Sequence, residues 1–237
     1  MQIGTVTFPS SAYRKSYKAK VTSRLKTWKA KDGITYIVDR PNECIISIVI
    51  HVSTQGTTYT DLLAYYNANQ GTLFSFTDPF DTVLTNCRFR KGKSLKCKPI
   101  PGVADLWEFN ISFEWTDFTE DDTVTITDIV DATDWSGGAE TNSLEMADGF
   151  MSDGSYKQWL FSDPIQRRSF SFTIEPDRAT LAYDALKYYA SKFYESITIS
   201  TGFTSDYTGI YEGNSIGISL NTNESFKSDS MTVREST

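Results

Sequence analysis

The one nucleophile-like pattern in this 237-residue chain is Gly213-Asn-Ser215-Ile-Gly217, which matches G-x-S-x-G. In α/β-hydrolases that pattern sets a serine on a strand–turn–helix elbow, and the acid and histidine that activate it follow in the chain. Here the sole histidine, His51, lies 164 positions before Ser215, and only 20 residues follow Gly217. No helical periodicity follows the serine. Ser215 is therefore expected in a structural strand or loop. His51 ends an apolar run and is expected to face the core or another subunit. A single imidazole offers neither a His-pair metal site nor a second proton shuttle.

The other reactive groups lead to the same place. Cys87 and Cys97 are too far apart for a C-x-x-C knuckle and have no histidine near them, so they and Cys44 are expected as packing residues. Three cysteines are too few, and odd in number, for a disulfide framework, which points to folding in a reducing cytosol. The acidic runs Glu120–Asp122 and Asp148–Asp153 lack the spacing of an EF-hand loop, and no glycine-rich phosphate loop is present. The expectation is a protein that is not an enzyme, with no catalytic, cofactor-binding or metal-binding residues.

Charge is the stronger signal. The net charge of −7 divides into +6 over residues 1–116 and −13 over residues 117–237. Eight basic residues crowd into Arg14–Lys31, and six more (Arg88, Arg90, Lys91, Lys93, Lys96, Lys98) form a second cluster. Such clusters suit an oppositely charged partner. The strongly acidic second half would repel nucleic acid at longer range, so the expected partner is an acidic protein face, including another copy of this chain. Solvated strand faces are the other reading of both clusters. The start, MQIGTVTFPS, does not read as a signal peptide, and the longest apolar run is far shorter than a membrane span.

The elements that would position these groups are mostly strands. Trp107-Glu-Phe109-Asn-Ile111-Ser-Phe113-Glu-Trp115 alternates strictly, which predicts a strand with one buried and one wet face. Ile45–Val52 alternates little and predicts a strand covered on both faces. Ile34–Val38, Leu73–Phe76 and Val83–Phe89 are further strands; a turn is expected over residues 77–81 and a hairpin tip at Lys91–Lys93. In Thr57–Gln70 the apolar residues Tyr59, Leu62, Leu63 and Tyr66 make a helical stripe, with Thr57 or Thr58 as cap and Gly71 as stop.

A second helix is expected over Pro176–Phe193, and its stripe (Ala182, Ala185, Leu186, Tyr189) lies 123 positions after the first. The same offset carries Asp61, Leu63, Tyr65 and Tyr66 onto identical residues, and Phe74 and Phe76 onto Ile197 and Ile199. The reading is an internal duplication: mainly β, with two tandem antiparallel β-sandwich or barrel domains, each flanked by one helix. The expected bounds are 1–117 and 136–237, joined by an acidic linker over 118–135 that holds a possible strand at 124–129. Gly137-Gly138 reads as flexible chain.

The run from the first helix through Gly71, Phe74-Ser-Phe76-Thr-Asp-Pro79 and Thr85-Asn-Cys-Arg88-Phe89 to the Trp107–Trp115 strand resembles tail-tip proteins of long-tailed phages. It is similar to the minor tail protein M family of lambda-like phages and to the N-terminal hub domain of distal tail proteins. The resemblance covers about residues 34–116 and, more faintly, 156–237. It implies a virion protein assembled in the host cytoplasm: a hexameric ring, or a trimeric pseudo-hexameric one, joining the tail tube to a baseplate hub or receptor-binding proteins. It implies no membrane and no specific nucleic-acid partner. The alternative is a carbohydrate-binding β-sandwich, with Trp28, Trp135, Trp159 and the tyrosines as a sugar-stacking platform.

Overall fold

The strictly alternating segment becomes the middle of a large sheet. The computed structural model describes residues 1–8, 14–24, 26–29, 35–38, 42–90, 95–123, 135–144, 146–150, 156–160, 166–174, 176, 179–200, 206–211, 213–220 and 226–235. The first half runs β1 (Gln2–Ile3), β2 (Val6–Thr7), β3 (Arg14–Thr22), β4 (Lys26–Lys29), β5 (Thr35–Val38), β6 (Glu43–Ser53), α1 (Thr57–Ala68), β7 (Leu73–Thr77), β8 (Val83–Phe89), β9 (Leu95–Pro99) and β10 (Leu106–Trp115). The second runs β11 (Trp135–Leu144), β12 (Met146–Phe150), β13 (Tyr156–Leu160), β14 (Gln166–Ile174), α2 (Ala179–Ser191), β15 (Ser196–Ser200), β16 (Asp206–Tyr211), β17 (Ser215–Leu220), β18 (Phe226–Ser228) and β19 (Met231–Glu235). The fold is mainly β.

Two antiparallel sheets carry the same strand order. In the larger it is β3-β6-β10-β8-β7; in the five-stranded one it is β11-β14-β19-β16-β15. A two-stranded hairpin lies between the first two strands of each order, β4–β5 between β3 and β6 and β12–β13 between β11 and β14. The halves differ at their edges. Strand β17 leaves its own half and pairs antiparallel with β3, from Ser215 opposite Thr22 to Ser219 opposite Lys18. Strand β18 follows as the outermost strand of the large sheet. The division at 118–135 falls between β10 and β11, so it separates the chain but not the packing. Buried residues from Ile3 to Val233 form one continuous core.

Burial follows the pleat. Phe109, Ile111, Phe113 and Trp115 of β10 point inward, as their alternation requires. Strand β6 departs from its expected full cover. Ile46, Ile48, Ile50 and Val52 are buried, while Ile45, Ser47, Val49 and His51 line the outer face. The isoleucines and valines on both faces hid that alternation.

The two helices sit in unlike places. On α1 only Leu62 is fully buried. Tyr59 lies edge-on to Trp107 and Phe109, and Tyr65 and Tyr66 to Phe89. Helix α1 starts at Gly56 without a side-chain cap, in place of the expected threonine cap. It ends at Asn69, two residues before Gly71, whose φ of +83° is one that glycine adopts without strain. Helix α2 is buried on most of its surface, with Thr180, Asp184, Lys187 and Ser191 on the side nearer solvent. Tyr189 meets Phe172 and Tyr211 of the second sheet, while Tyr183 meets Trp115 and Tyr17 of the first. Its alanines, Ala182, Ala185 and Ala190, let the helix fit that narrow space.

One further expectation is corrected. Gly137-Gly138 lies inside β11, where the register with β14 shifts between Ser136 and Ala139; a bulge, not a flexible joint, uses those glycines. The hairpin tip at Lys91–Lys93 and the strand at 124–129 lie outside the described residues. No helix among the described residues is long and apolar enough to cross a membrane.

Because β17 belongs to one half in sequence and to the other in packing, its core residues should couple the two. Ile218 is 1% exposed. Ile218→Ala is expected to lower stability by about 2–5 kcal/mol, with tryptophan fluorescence and circular dichroism following one urea transition. Two separated transitions would contradict the shared core.

Candidate interaction surface

Residues from both halves converge on a buried polar chain at the centre of the molecule. Asp78 stands in the turn after β7 and is fully buried. Its Oδ1 accepts hydrogen bonds from the backbone N–H groups of Phe80 (2.7 Å) and Thr82 (2.9 Å), which hold the turn closed. Its Oδ2 accepts from the Tyr183 hydroxyl of α2 at 3.0 Å. The Tyr183 hydroxyl in turn bonds that of Tyr17 on β3. One β-turn, one strand and one helix are thereby tied by three side chains.

Burial dominates the electrostatics here. It raises the hydroxyls of Tyr17 and Tyr183 well above the usual tyrosine range. It also raises the Asp78 carboxyl, although four hydrogen-bond donors, backbone and side-chain, oppose the shift. The thiols of Cys44 and Cys87 are pushed up for the same reason, Cys87 to about 12. Such tyrosines and thiols stay protonated at neutral pH, so they can hold structure and donate hydrogen bonds but not attack.

The wet face of the large sheet gathers both basic clusters. Arg24 reaches Glu43 at 2.7 Å and Glu114 at 3.6 Å; Arg88 meets Glu114 at 2.7 Å and Arg90 meets Glu43 at 3.5 Å. Towards the opposite end of the same face, Glu108 accepts from Lys98 (3.1 Å) and lies 3.4 Å from His51. Three carboxylates of the first half thus neutralise part of its own positive charge. Lys18 instead pairs at 2.6 Å with Asp229, which follows β18. That ion pair crosses from one half of the chain to the other.

The sequence-level candidates fall as follows. Ser215 opens β17 and sits opposite Thr22, which sits opposite Glu43. His51 lies eight positions along β6 from Glu43, which places it roughly 28 Å from Ser215 by strand rise and spacing. No hydrogen-bond relay spans that gap. His51 is on the outer face rather than in the core, and a carboxylate partners it. Cys44 and Cys87 are buried packing residues as expected; Cys97, contrary to expectation, is exposed on β9, where Lys96, Lys98 and Pro99 are exposed as well and β10 is the strand it pairs with. Among the described residues no three His, Cys, Asp or Glu side chains group as a metal site. Of the acidic runs, Asp121 binds the Thr123 backbone and hydroxyl; the side chains over 148–153 lie outside the described ones. So do the side chains of Trp28, Trp135 and Trp159. The Tyr17–Tyr183–Asp78 chain had no local signal in the sequence, because its members are 61 to 166 positions apart.

No protein-family model matches the chain, and no curated protein matches it.

Two tyrosines on α2 make a controlled pair. Tyr183→Phe removes the link between Tyr17 and Asp78 and is expected to cost about 1–3 kcal/mol. The Tyr189 hydroxyl is buried with no partner among the described residues, so Tyr189→Phe should leave stability unchanged or raise it. Equal losses in chemical denaturation would refute the difference. Asp78 carries a pH dependence of known sign. Its folded carboxyl binds a proton more tightly than the unfolded one, so its contribution is full below the usual carboxylate value and is lost as pH rises through the raised one. The stability difference between wild type and Asp78→Asn should therefore move against the wild type as pH rises from about 4, in urea titrations at stepped pH. A difference that does not change with pH would refute it.

Proposed function

We propose that this chain is a structural subunit that assembles with copies of itself into a closed ring by adding sheet edge to sheet edge. The observation that carries the reading is the repeated strand order, together with the docking of β17 from one half onto β3 of the other. A chain whose halves already join this way carries a heterologous contact, and such a contact closes into a ring when its rotation divides a full turn. Six chains, or three chains with pseudo-sixfold symmetry, would follow. The opposed charges of the halves, and the Lys18–Asp229 pair between them, support head-to-tail order.

The resemblance to tail-tip proteins gives this reading its setting: a ring at the distal end of a long phage tail, between the tube and a baseplate hub or receptor-binding proteins. The glycan-binding alternative calls for aromatic faces grouped in solvent. Among the described residues Tyr194 is the only strongly exposed aromatic, and the side chains of Trp28, Trp135 and Trp159 lie outside them.

Native mass spectrometry of the purified chain, with negative-stain images of the same sample, tests the proposal. The expected result is a discrete species of three or six chains with a central opening, weakening as salt screens the charges. A monomer at high concentration and low salt would overturn it.

A further inference from the structure

The strand pairing that joins the halves within one chain also specifies where the next chain should bind. Strand β3 has β6 on one side and β17 on the other. Its counterpart in the second sheet, β11, has β14 on one side and ends the sheet on the other. It is ten residues long and contains no Lys, Arg or Pro, the residues that guard an open edge. Strand β9, which overlaps β17 when 123 positions are subtracted, pairs with β10 alone. Its Lys96, Cys97, Lys98 and Pro99 are all exposed. Other strands also end sheets, β2, β15 and β18 among them, but β9 and β11 are the two open strands that correspond to β17 and β3 of the internal contact.

Register joins them. Lys18 stands opposite Ser47 of β6, and the residue 123 positions after Ser47 is Phe170, which stands opposite Glu140 of β11. Glu140 thus takes the place of Lys18. On the other side of Lys18 stands Ser219 of β17, and 123 positions before Ser219 is Lys96. Repeating the internal contact between two copies sets Lys96 of one opposite Glu140 of the other, with the charges of the internal contact reversed in order. The wider charge agrees. Residues 117–156, which include β11, hold eleven acidic and no basic residues, whereas the β8–β9 region holds the second basic cluster. Lys96 has no ion-pair partner among the described residues.

We infer that the open edge of β9 in one copy pairs antiparallel with the open edge of β11 in the next, in the register that sets Lys96 against Glu140 and Cys97 against Ala139. The inference rests on the self-assembly reading and names its surfaces.

Native Cys97 makes the test direct, because Cys44 and Cys87 are buried. Ala139→Cys, oxidised in the assembled state, should give disulfide-linked multimers on a non-reducing gel, absent when Cys97→Ser is added and when Asn67→Cys on α1 replaces Ala139→Cys. Separately, Lys96→Glu and Glu140→Lys should each weaken assembly at low salt by about tenfold or more, as expected of opposed charges at a contact, and the double reversal should restore it. If the wild type assembles but neither cross-linking nor rescue occurs, the β9–β11 pairing is wrong while ring assembly stands. If the wild type stays monomeric at every concentration, both fall.

Discussion

The pairing of β17 with β3 is the constraint on which the rest of the molecule depends. It takes a strand that lies in sequence between β16 and β19 of the second sheet and hydrogen-bonds it, together with β18, to the first. Helix α2 lies between the sheets, packing against β17 and β3 of the first and, through Tyr189, against Phe172 and Tyr211 of the second. There α2 keeps only its Thr180, Asp184, Lys187 and Ser191 side towards water. It buries Ala182, Tyr183, Ala185, Leu186, Tyr189 and Ala190, and the Tyr183 hydroxyl needs a partner away from solvent. Asp78 and Tyr17 supply it.

The same crossing explains why helices with matching stripes behave differently. Helix α1 has one sheet beneath it and water above, so one fully buried leucine and a rim of tyrosines suffice. Helix α2 has a sheet on either side. Packing on two faces rewards small residues, which admit a close approach, and large aromatics at the positions that fill the gaps. A hydrophobic stripe reports the face that meets a helix's own sheet and is blind to a second neighbour.

Charge is organised by the sheet as well. Arg24 and Arg88 come from separate basic clusters yet meet on Glu114, because β3, β6, β10 and β8 lie side by side. The sequence shows a positive first half; the folded face shows much of that charge already bonded within the half. What remains is carried by exposed positions such as Lys20 and Lys96, and by Lys18, whose pair with Asp229 bridges the halves.

Strand identity was legible from local pattern, since alternation in β10 and the aromatic pairs in β7 and β8 are properties of a few adjacent residues. The repeat was legible too, for an offset of 123 survives without any knowledge of contacts. Ser215 could be set aside from chain order alone. The exposure of Cys97, the outward face of β6 and the bulge at Gly137-Gly138 were not legible, because each depends on which strand lies alongside or above. Nor could any local pattern show that Tyr17, Asp78 and Tyr183 meet, or that β17 would cross to β3. Secondary structure is set by periodicities of two and 3.6 residues and is written in the chain; the choice of neighbour is made by long-range burial, where an edge strand, a helix and a lone carboxylate find one arrangement that leaves them all satisfied.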